Sequence, residues 1–265
     1  MSETLTDGEL ESRFNAACAL AREGGALARE YYGNLGSLRV SFKGPQNYLT
    51  EADQAVERLI RTRLSALFPG DTIYGEEDGG EIGRHAWIID PIDGTENFAR
   101  GIPHWCVVIA FVSGGEIAQG VIHNPVSGEL FSAWRGRGAF RDGVPMRVSA
   151  VTELGRANVE AGWCPRRGAE DYAALVRGIL ETGATTRRVG SGALGLAYVA
   201  DGRTEGYAER HINAWDCLAG ILLVREAGGW VSDFLARDGL HKGNELLATT
   251  PALRDELIAA TGIGR

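Results

Sequence analysis

The stretch that decides the fold is Trp87-Ile88-Ile89-Asp90-Pro91-Ile92-Asp93-Gly94-Thr95. Trp87-Ile88-Ile89 reads as a short buried strand that delivers Asp90 at its end. Asp90 and Asp93 then stand three apart across a proline-containing turn, which Pro91 stiffens so that both carboxylates converge on one point. Gly94 lets the backbone approach a ligand closely, and Thr95 presents a hydroxyl beside helix-start amides. With Glu96-Asn97-Phe98 opening a helix, those amides form an anion site. Carboxylates beside a phosphate-sized anion site repel the anion unless cations lie between them. That conflict points to hard, oxygen-liganded metals such as Mg2+. The alternative is a plain Asp-Gly turn made of ordinary turn formers.

Outward from this run, three more acidic turns weigh against the plain-turn reading. Gly75-Glu76-Glu77 follows another short strand, Trp215-Asp216 begins an apolar helix, and Thr50-Glu51-Ala52-Asp53 opens a second helix that ends before Pro69-Gly70. Each has a local alternative: Glu77 as an exposed neighbour of Glu76, Asp53 as a helix cap, Asp216 as a first-turn residue favoured by the helix dipole.

The N-terminal segment carries a capping box, Thr6 to Glu9, and predicts a helix to Gly33 with Leu10, Phe14, Cys18 and Ala21 facing the core. In the second helix Val56, Leu59, Ile60 and Leu67 fill that role. Leu38 to Phe42 alternates like a half-buried strand. Val107–Val112 and Ile117–Ile122 flank Ser113-Gly114-Gly115-Glu116, a hairpin signal, and Leu130–Trp134 continues an antiparallel meander. The second half alternates: strand Val159–Ala161, helix Glu170–Leu180, strand Thr185–Val189, helix Ala193–Ala200, strand Glu205–Ala208. Asn213 caps a helix Ala214–Ala227, strands follow at Trp230–Phe234 and Leu246–Thr249, and Pro251 opens a last helix. The result is layered α and β, two halves sharing one cleft.

Composition narrows the function classes. The 265 residues are 44% hydrophobic and 23% charged, the balance of an ordinary soluble globular protein. The net charge of −8 argues against nucleic-acid and anionic-membrane partners, with Arg166-Arg167 and Arg187-Arg188 as local basic spots only. Cys18, Cys106, Cys164 and Cys217 are scattered and read as free thiols. No signal peptide or membrane-length apolar run is present, which predicts a cytoplasmic protein.

Taken together, Gly75-Glu76-Glu77, the Trp87–Thr95 run, Trp215-Asp216 with Ala219-Gly220, and Glu226-Ala227-Gly228-Gly229 resemble the inositol monophosphatase family, in the lithium-sensitive, Mg2+-dependent phosphatase superfamily. The resemblance implies an α+β fold, the layered αβαβα sandwich of the inositol monophosphatase and fructose-1,6-bisphosphatase type. Residues 1–148 would form an N-terminal half with most metal ligands and 149–265 a C-terminal half that completes one catalytic unit. It implies two to three Mg2+ ions, replaceable by Mn2+. One is held by Glu76, Asp90 and the carbonyl of Ile92, a second by Asp90, Asp93 and Asp216, and a weaker third by Glu76 and water. Glu76, with Thr95 and Asp53 in support, would orient and deprotonate the attacking water. The amides of Gly94 and Thr95 would hold phosphate oxygens, and no covalent intermediate forms. A homodimer is also implied.

On the substrate side the resemblance assigns Glu209 to ligand hydroxyls and Gly190-Ser191-Gly192 to backbone contacts, alongside Asp93 and Asp216. Glu209 could equally be a solvated strand-end charge. An inositol-1-phosphate-like substrate is expected. Histidinol phosphate is the alternative, since Glu209 could pair with an ammonium group, and Glu96, the segment 99–104, Arg210 and His211 depart from the inositol-type pattern. Near the metal site, the spacing from Lys43 to Asp53 is one residue short and Asn47 replaces an Asp. Some relatives partner the transcription machinery, so a regulatory protein-binding subunit is a third reading.

Overall fold

We describe residues 4–44 and 47–264 in a computed structural model. The elements, in chain order, are helix α1 (Asp7–Tyr32), strands β1 (Val40–Gly44) and β2 (Asn47–Thr50), α2 (Glu51–Leu67), β3 (Thr72–Gly75), β4 (Gly79–Gly80), β5 (His85–Asp93) and α3 (Thr95–Ala99). The meander follows as β6 (Cys106–Ser113), β7 (Glu116–His123), β8 (Leu130–Trp134), β9 (Gly138–Arg141) and β10 (Val144–Pro145). Beyond it come β11 (Asn158–Ala161), α4 (Ala169–Glu181), β12 (Thr185–Arg187), α5 (Gly192–Ala200), β13 (Gly206–Ile212), α6 (Ala214–Glu226), β14 (Trp230–Val231), α7 (Gly239–Lys242), β15 (Asn244–Thr249) and α8 (Arg254–Thr261).

Side-chain alternation along the strands builds five layers. On the eight-stranded sheet, ordered β10-β9-β8-β7-β6-β5-β3-β4, Trp87, Ile89, Val107, Ile109 and Phe111 pack on α1 and α2. Their neighbours Ala86, Ile88, Val108 and Ala110 point the other way, onto α5 and α6. The opposite side of α5 and α6 meets Tyr207, Leu246 and Ala248 of the five-stranded sheet, ordered β12-β11-β13-β15-β14. That sheet's far face, Val159, Ala161, Ala208 and Leu247, is closed by α4 and α8. This is the expected αβαβα sandwich. Because both faces of the large sheet are covered, β5 and β6 read as continuous apolar runs where a half-solvated antiparallel strand would alternate. The middle helix α6 is apolar on every side from Cys217 to Val224 for the same reason.

Several boundaries differ from expectation. In α1 the buried stripe is Ala17, Leu20, Ala21, Gly24 and Ala28, while Leu10, Phe14 and Cys18 are half-buried flanks. Arg13 joins the stripe because its guanidinium forks onto Asp71 (2.9 Å to each oxygen), which also accepts from Trp87 Nε1 at 3.0 Å. Leu67, in the last turn of α2, is 57% exposed, since the chain leaves the sheet there. The strand Trp230–Phe234 stops at Val231 and Thr185–Val189 at Arg187. Conversely, β13 runs past Ala208 to Ile212, with an irregularity between Glu209 and Ile212. The side chains of Lys43 and Asn47 lie outside the described residues, as do Pro45 and Gln46. Among the described residues no helix is long and apolar enough to cross a membrane.

Candidate active site

The carboxylates of Asp90 and Asp93 share a face because β5 carries a bulge. Asp90 pairs with Val108 and Asp93 with Cys106, so three residue steps on β5 oppose two on β6. In a regular strand, residues three apart point to opposite faces; one extra residue restores the same face. Val108 and Cys106 both face α5 and α6, and so therefore do both aspartates. Pro91, which cannot donate to the ladder, sits inside the bulge. The expected turn after a strand is thus a bulge within it, with the same chemical consequence.

Three chain segments meet there. Glu76 follows β3 and is tied to β5 through its amide, which donates to the Ile89 carbonyl at 3.1 Å. Asp216 lies in the first turn of α6, where its Oδ2 accepts from the amide and side chain of Asn213 at 3.2 and 3.1 Å. One ligand oxygen from each of Glu76, Asp90 and Asp216 lies within 4.8 Å of the others. Asp93 is engaged by the start of α5: Ser191 Oγ and the Ala193 amide donate to its Oδ2 at 2.6 and 2.7 Å. Asp90 Oδ1 accepts from the Ile92 amide at 2.9 Å, which leaves Oδ2 buried without a hydrogen-bond partner.

Crowding shows in the proton affinities. Burial, then the charges of Glu76, Asp93 and Asp216, hold the Asp90 carboxyl well above the usual range. Burial and the Asp216 charge push Asp93 up to about 7. Acids packed this way fit a polycation: an all-oxygen, all-carboxylate donor set with an unpartnered buried oxygen suits a hard divalent ion.

Beside the cluster, Gly94 takes φ +97° and leads into α3. The Thr95 hydroxyl lies 2.9 Å from the Ile92 carbonyl and 3.2 Å from Asp53 Oδ1. Asp53 also caps α2 by accepting from the amide (2.8 Å) and hydroxyl (2.5 Å) of Thr50, so the cap and the link to Thr95 are made by different oxygens of one carboxylate. Burial pushes Asp53 up to about 6.

Glu76, Asp93, Gly94, Thr95 and Asp216 line a cleft of about 460 Å³, within the range of small-molecule sites, while Asp90 and Asp53 are buried. Glu160, Trp163, Arg166, Arg188, Gly192 and Glu209 also line it. Glu209 is buried and receives a hydrogen bond from the Tyr207 hydroxyl, which excludes the solvated strand-end reading. His211 is used internally: one ring nitrogen meets the Lys242 carbonyl at 3.0 Å, the other faces Cys164 and Arg166. Tyr48 of β2 borders the mouth and accepts a 2.7 Å hydrogen bond from Arg100.

Among the described residues, the polar side chains of Glu57, Glu160 and Tyr207 have no functional part in the sequence analysis. All are buried. For Glu57 a signal existed, its place one turn after Asp53 and one turn before Arg61.

Burial pushes Glu209 up to about 8 and Glu160 to about 7. A carboxyl raised this way favours folding while protonated. Its contribution is complete below the unfolded value near 4.5 and is lost as pH rises through about 8. Glu209→Gln removes that loss and keeps an acceptor for Tyr207. In EDTA, the melting temperature of the variant relative to wild type is therefore expected to rise by roughly 5 °C between pH 5.5 and 9. Thermal unfolding at both pH values checks this, and a pH-independent difference contradicts it.

The profile of the inositol monophosphatase family matches residues 9–262. An inositol-1-monophosphatase of Rhizobium meliloti (strain 1021) is 44% identical over 222 residues, covering 81% of this chain and 82% of the relative. The Nus factor SuhB of Xylella fastidiosa (strain Temecula1) is 41% identical over 228 residues, covering 84% and 82%. Among solved structures, the extragenic suppressor protein suhB of Bartonella henselae superposes with a TM-score of 0.89 at 39% identity, covering 96% of this chain and all of that one.

Proposed function

The chain belongs to the inositol monophosphatase family, and from that premise we propose that it is a Mg2+-dependent phosphatase of small phosphate monoesters, with inositol-1-phosphate-like alcohols as leaving groups. The observation that carries the reading is the meeting of Glu76, Asp90 and Asp216 from three separate segments. Glu76, Asp90 and the Ile92 carbonyl would hold one ion, Asp90, Asp93 and Asp216 a second, and Glu76 with water a weaker third. Bound there, such ions supply Lewis-acid charge to the phosphoryl group and acidify a water.

The chain's own residues account for the rest. Glu76 orients the attacking water. Thr95 Oγ, with Asp53 Oδ1 behind it, offers a path for the proton that water loses. The amides of Gly94 and Thr95 hold phosphoryl oxygens as charge develops on them. Water oxygen bonds to phosphorus in line, the phosphorus–alcohol oxygen bond breaks, and the leaving alkoxide takes a proton from solvent. Ser191 and Ala193 lock Asp93 so that it does not swing with the substrate. Glu209 accepts from hydroxyls of the alcohol half, while Ser191 and Gly192 line it. The halves 1–148 and 149–265 act as one catalytic unit; a cytoplasmic homodimer inhibited by lithium completes the proposal.

A kcat/KM panel with a Mg2+ titration tests it: inositol-1-phosphate, histidinol phosphate, 3′-phosphoadenosine 5′-phosphate and fructose 1,6-bisphosphate. Inositol-1-phosphate is expected to lead. A lead of tenfold or more for histidinol phosphate would overturn the choice of alcohol, because Glu209 would then be serving an ammonium group. A second reading, a partner of the transcription machinery, is favoured by the relatives named Nus factor SuhB. Capture of RNA polymerase factors by this chain, with no phosphate release from any of the four esters, would favour it.

A further inference from the structure

Glu76 is the one residue of the acidic cluster carried by a loop outside the helices and the bulged strand, and its fixing needs an explanation. On its N-terminal side the amide of Glu76 bonds to β5. On its C-terminal side the next two amides, of Glu77 and Asp78, both donate to the carboxylate of Glu57, to Oε2 at 2.9 Å and Oε1 at 3.1 Å. Glu57 projects from α2 and is 0% exposed. Arg61, one turn further along, pairs with the same carboxylate at 2.7 Å and donates to the Gly79 carbonyl, closing the loop. The fit explains Gly75 as well. A Cβ there would lie 2.3 Å from Glu57 Oε1, so only glycine lets the backbone pass this close.

We infer that Glu57 is a positioning residue, whose carboxylate sets the Glu76 loop at the distance from Asp90 and Asp216 that a divalent cation requires. The inference rests on the reading of Glu76 as a metal ligand. A charged acceptor makes shorter and stronger bonds to backbone amides than a neutral one, and two such bonds adjacent to Glu76 remove its main freedom. The same helix carries Asp53 four residues earlier, and Asp53 reaches Thr95. One rigid element therefore sets the loop of Glu76 and the hydroxyl of Thr95 together, at two points separated by a helical turn.

Glu57→Gln keeps the size but sets an NH2 donor against the Glu77 or Asp78 amide. Mn2+ binding, read by the free-ion electron paramagnetic resonance signal, is expected to weaken tenfold or more. The substrate KM at saturating Mg2+ should stay within about twofold, and excess Mg2+ should restore most of kcat. Gly75→Ala, which pushes on the same carboxylate from the other side, should weaken Mn2+ in the same sense, and carries the test should Glu57→Gln not fold. Ile60→Val, a core change on the same helix, should leave Mn2+ affinity unchanged. Unaltered Mn2+ affinity in Glu57→Gln or its stand-in, beside a weakened Glu76→Gln, overturns the role of Glu57 alone. Unaltered affinity in Glu76→Gln overturns the reading of Glu76 on which it rests.

Discussion

Replacing Asp93 or Asp216 by asparagine is expected to cut phosphate release by about a thousandfold or more while leaving the metal-free protein folded and more heat-stable than wild type. The two halves of that result have one cause. The proposed reaction needs dense negative charge to hold cations against a phosphoryl group, and loss of one ligand removes several kcal/mol of transition-state stabilisation, each ~1.4 kcal/mol being tenfold in rate. Without cations the same charges repel one another in a buried site. Asp90 is held far above its ordinary range by burial and by Glu76, Asp93 and Asp216, and Asp93 is pushed up to about 7 by burial and by Asp216. An asparagine at 93 still accepts from Ser191 Oγ and the Ala193 amide, so packing survives while one charge is gone. Steady-state phosphate release with Mg2+ and thermal unfolding in EDTA check both halves. Normal turnover by either variant would sink the metal assignment. Activity lost together with a lower melting temperature would point to damage of the fold instead.

How much of this site is written in the sequence depends on whether a residue's role is local. The pattern Asp90-Pro91-Ile92-Asp93-Gly94-Thr95 announces its chemistry, because residue types and spacing suffice to place carboxylates beside a helix start. Its geometry is not local. That Asp90 and Asp93 face the same way follows from the register against β6, which is a tertiary fact. Asp216 is legible as a first-turn acid after Asn213, but its meeting with Asp90 requires the crossing of α6 beneath the large sheet. Glu160 is not singled out by the sequence, since glutamate is rarely buried and nothing nearby says what will cover it, and Glu57 is marked only by its place between Asp53 and Arg61 on one helix. The same limit applies in α1: Leu10, Cys18 and Ala21 pack in or against the core as the amphipathic pattern indicates, whereas the burial of Arg13 goes with its ion pair to Asp71, fifty-eight residues away.

The other large effect is expected at Gly94, where substitution by alanine should lower kcat/KM by about a hundredfold or more with the fold retained. Two costs act together. At φ +97° an alanine pays about 1–3 kcal/mol of backbone strain. Its Cβ would also lie 3.0 Å from the His104 carbonyl, 3.2 Å from the Gly190 carbonyl and 3.3 Å from Trp105 Cα. These neighbours are backbone, so none can swing aside as a side-chain tip would. The contact with Gly190 matters most for function, because the next residue, Ser191, donates to Asp93 at 2.6 Å. Pushing Gly94 and Gly190 apart therefore moves Asp93 away from its lock and shifts the Thr95 amide that the reaction is proposed to use. Displacements of about 1 Å in such a constellation cost on the order of a hundredfold in rate. Gly128→Ala separates strain from contact. It has a comparable positive φ of +80° in a surface turn with nothing within 4 Å of its Cβ, so it should lose stability and keep activity. Equal kcat/KM losses in the two variants would show that strain alone is responsible and that the passage between Gly94 and Gly190 has no part in catalysis.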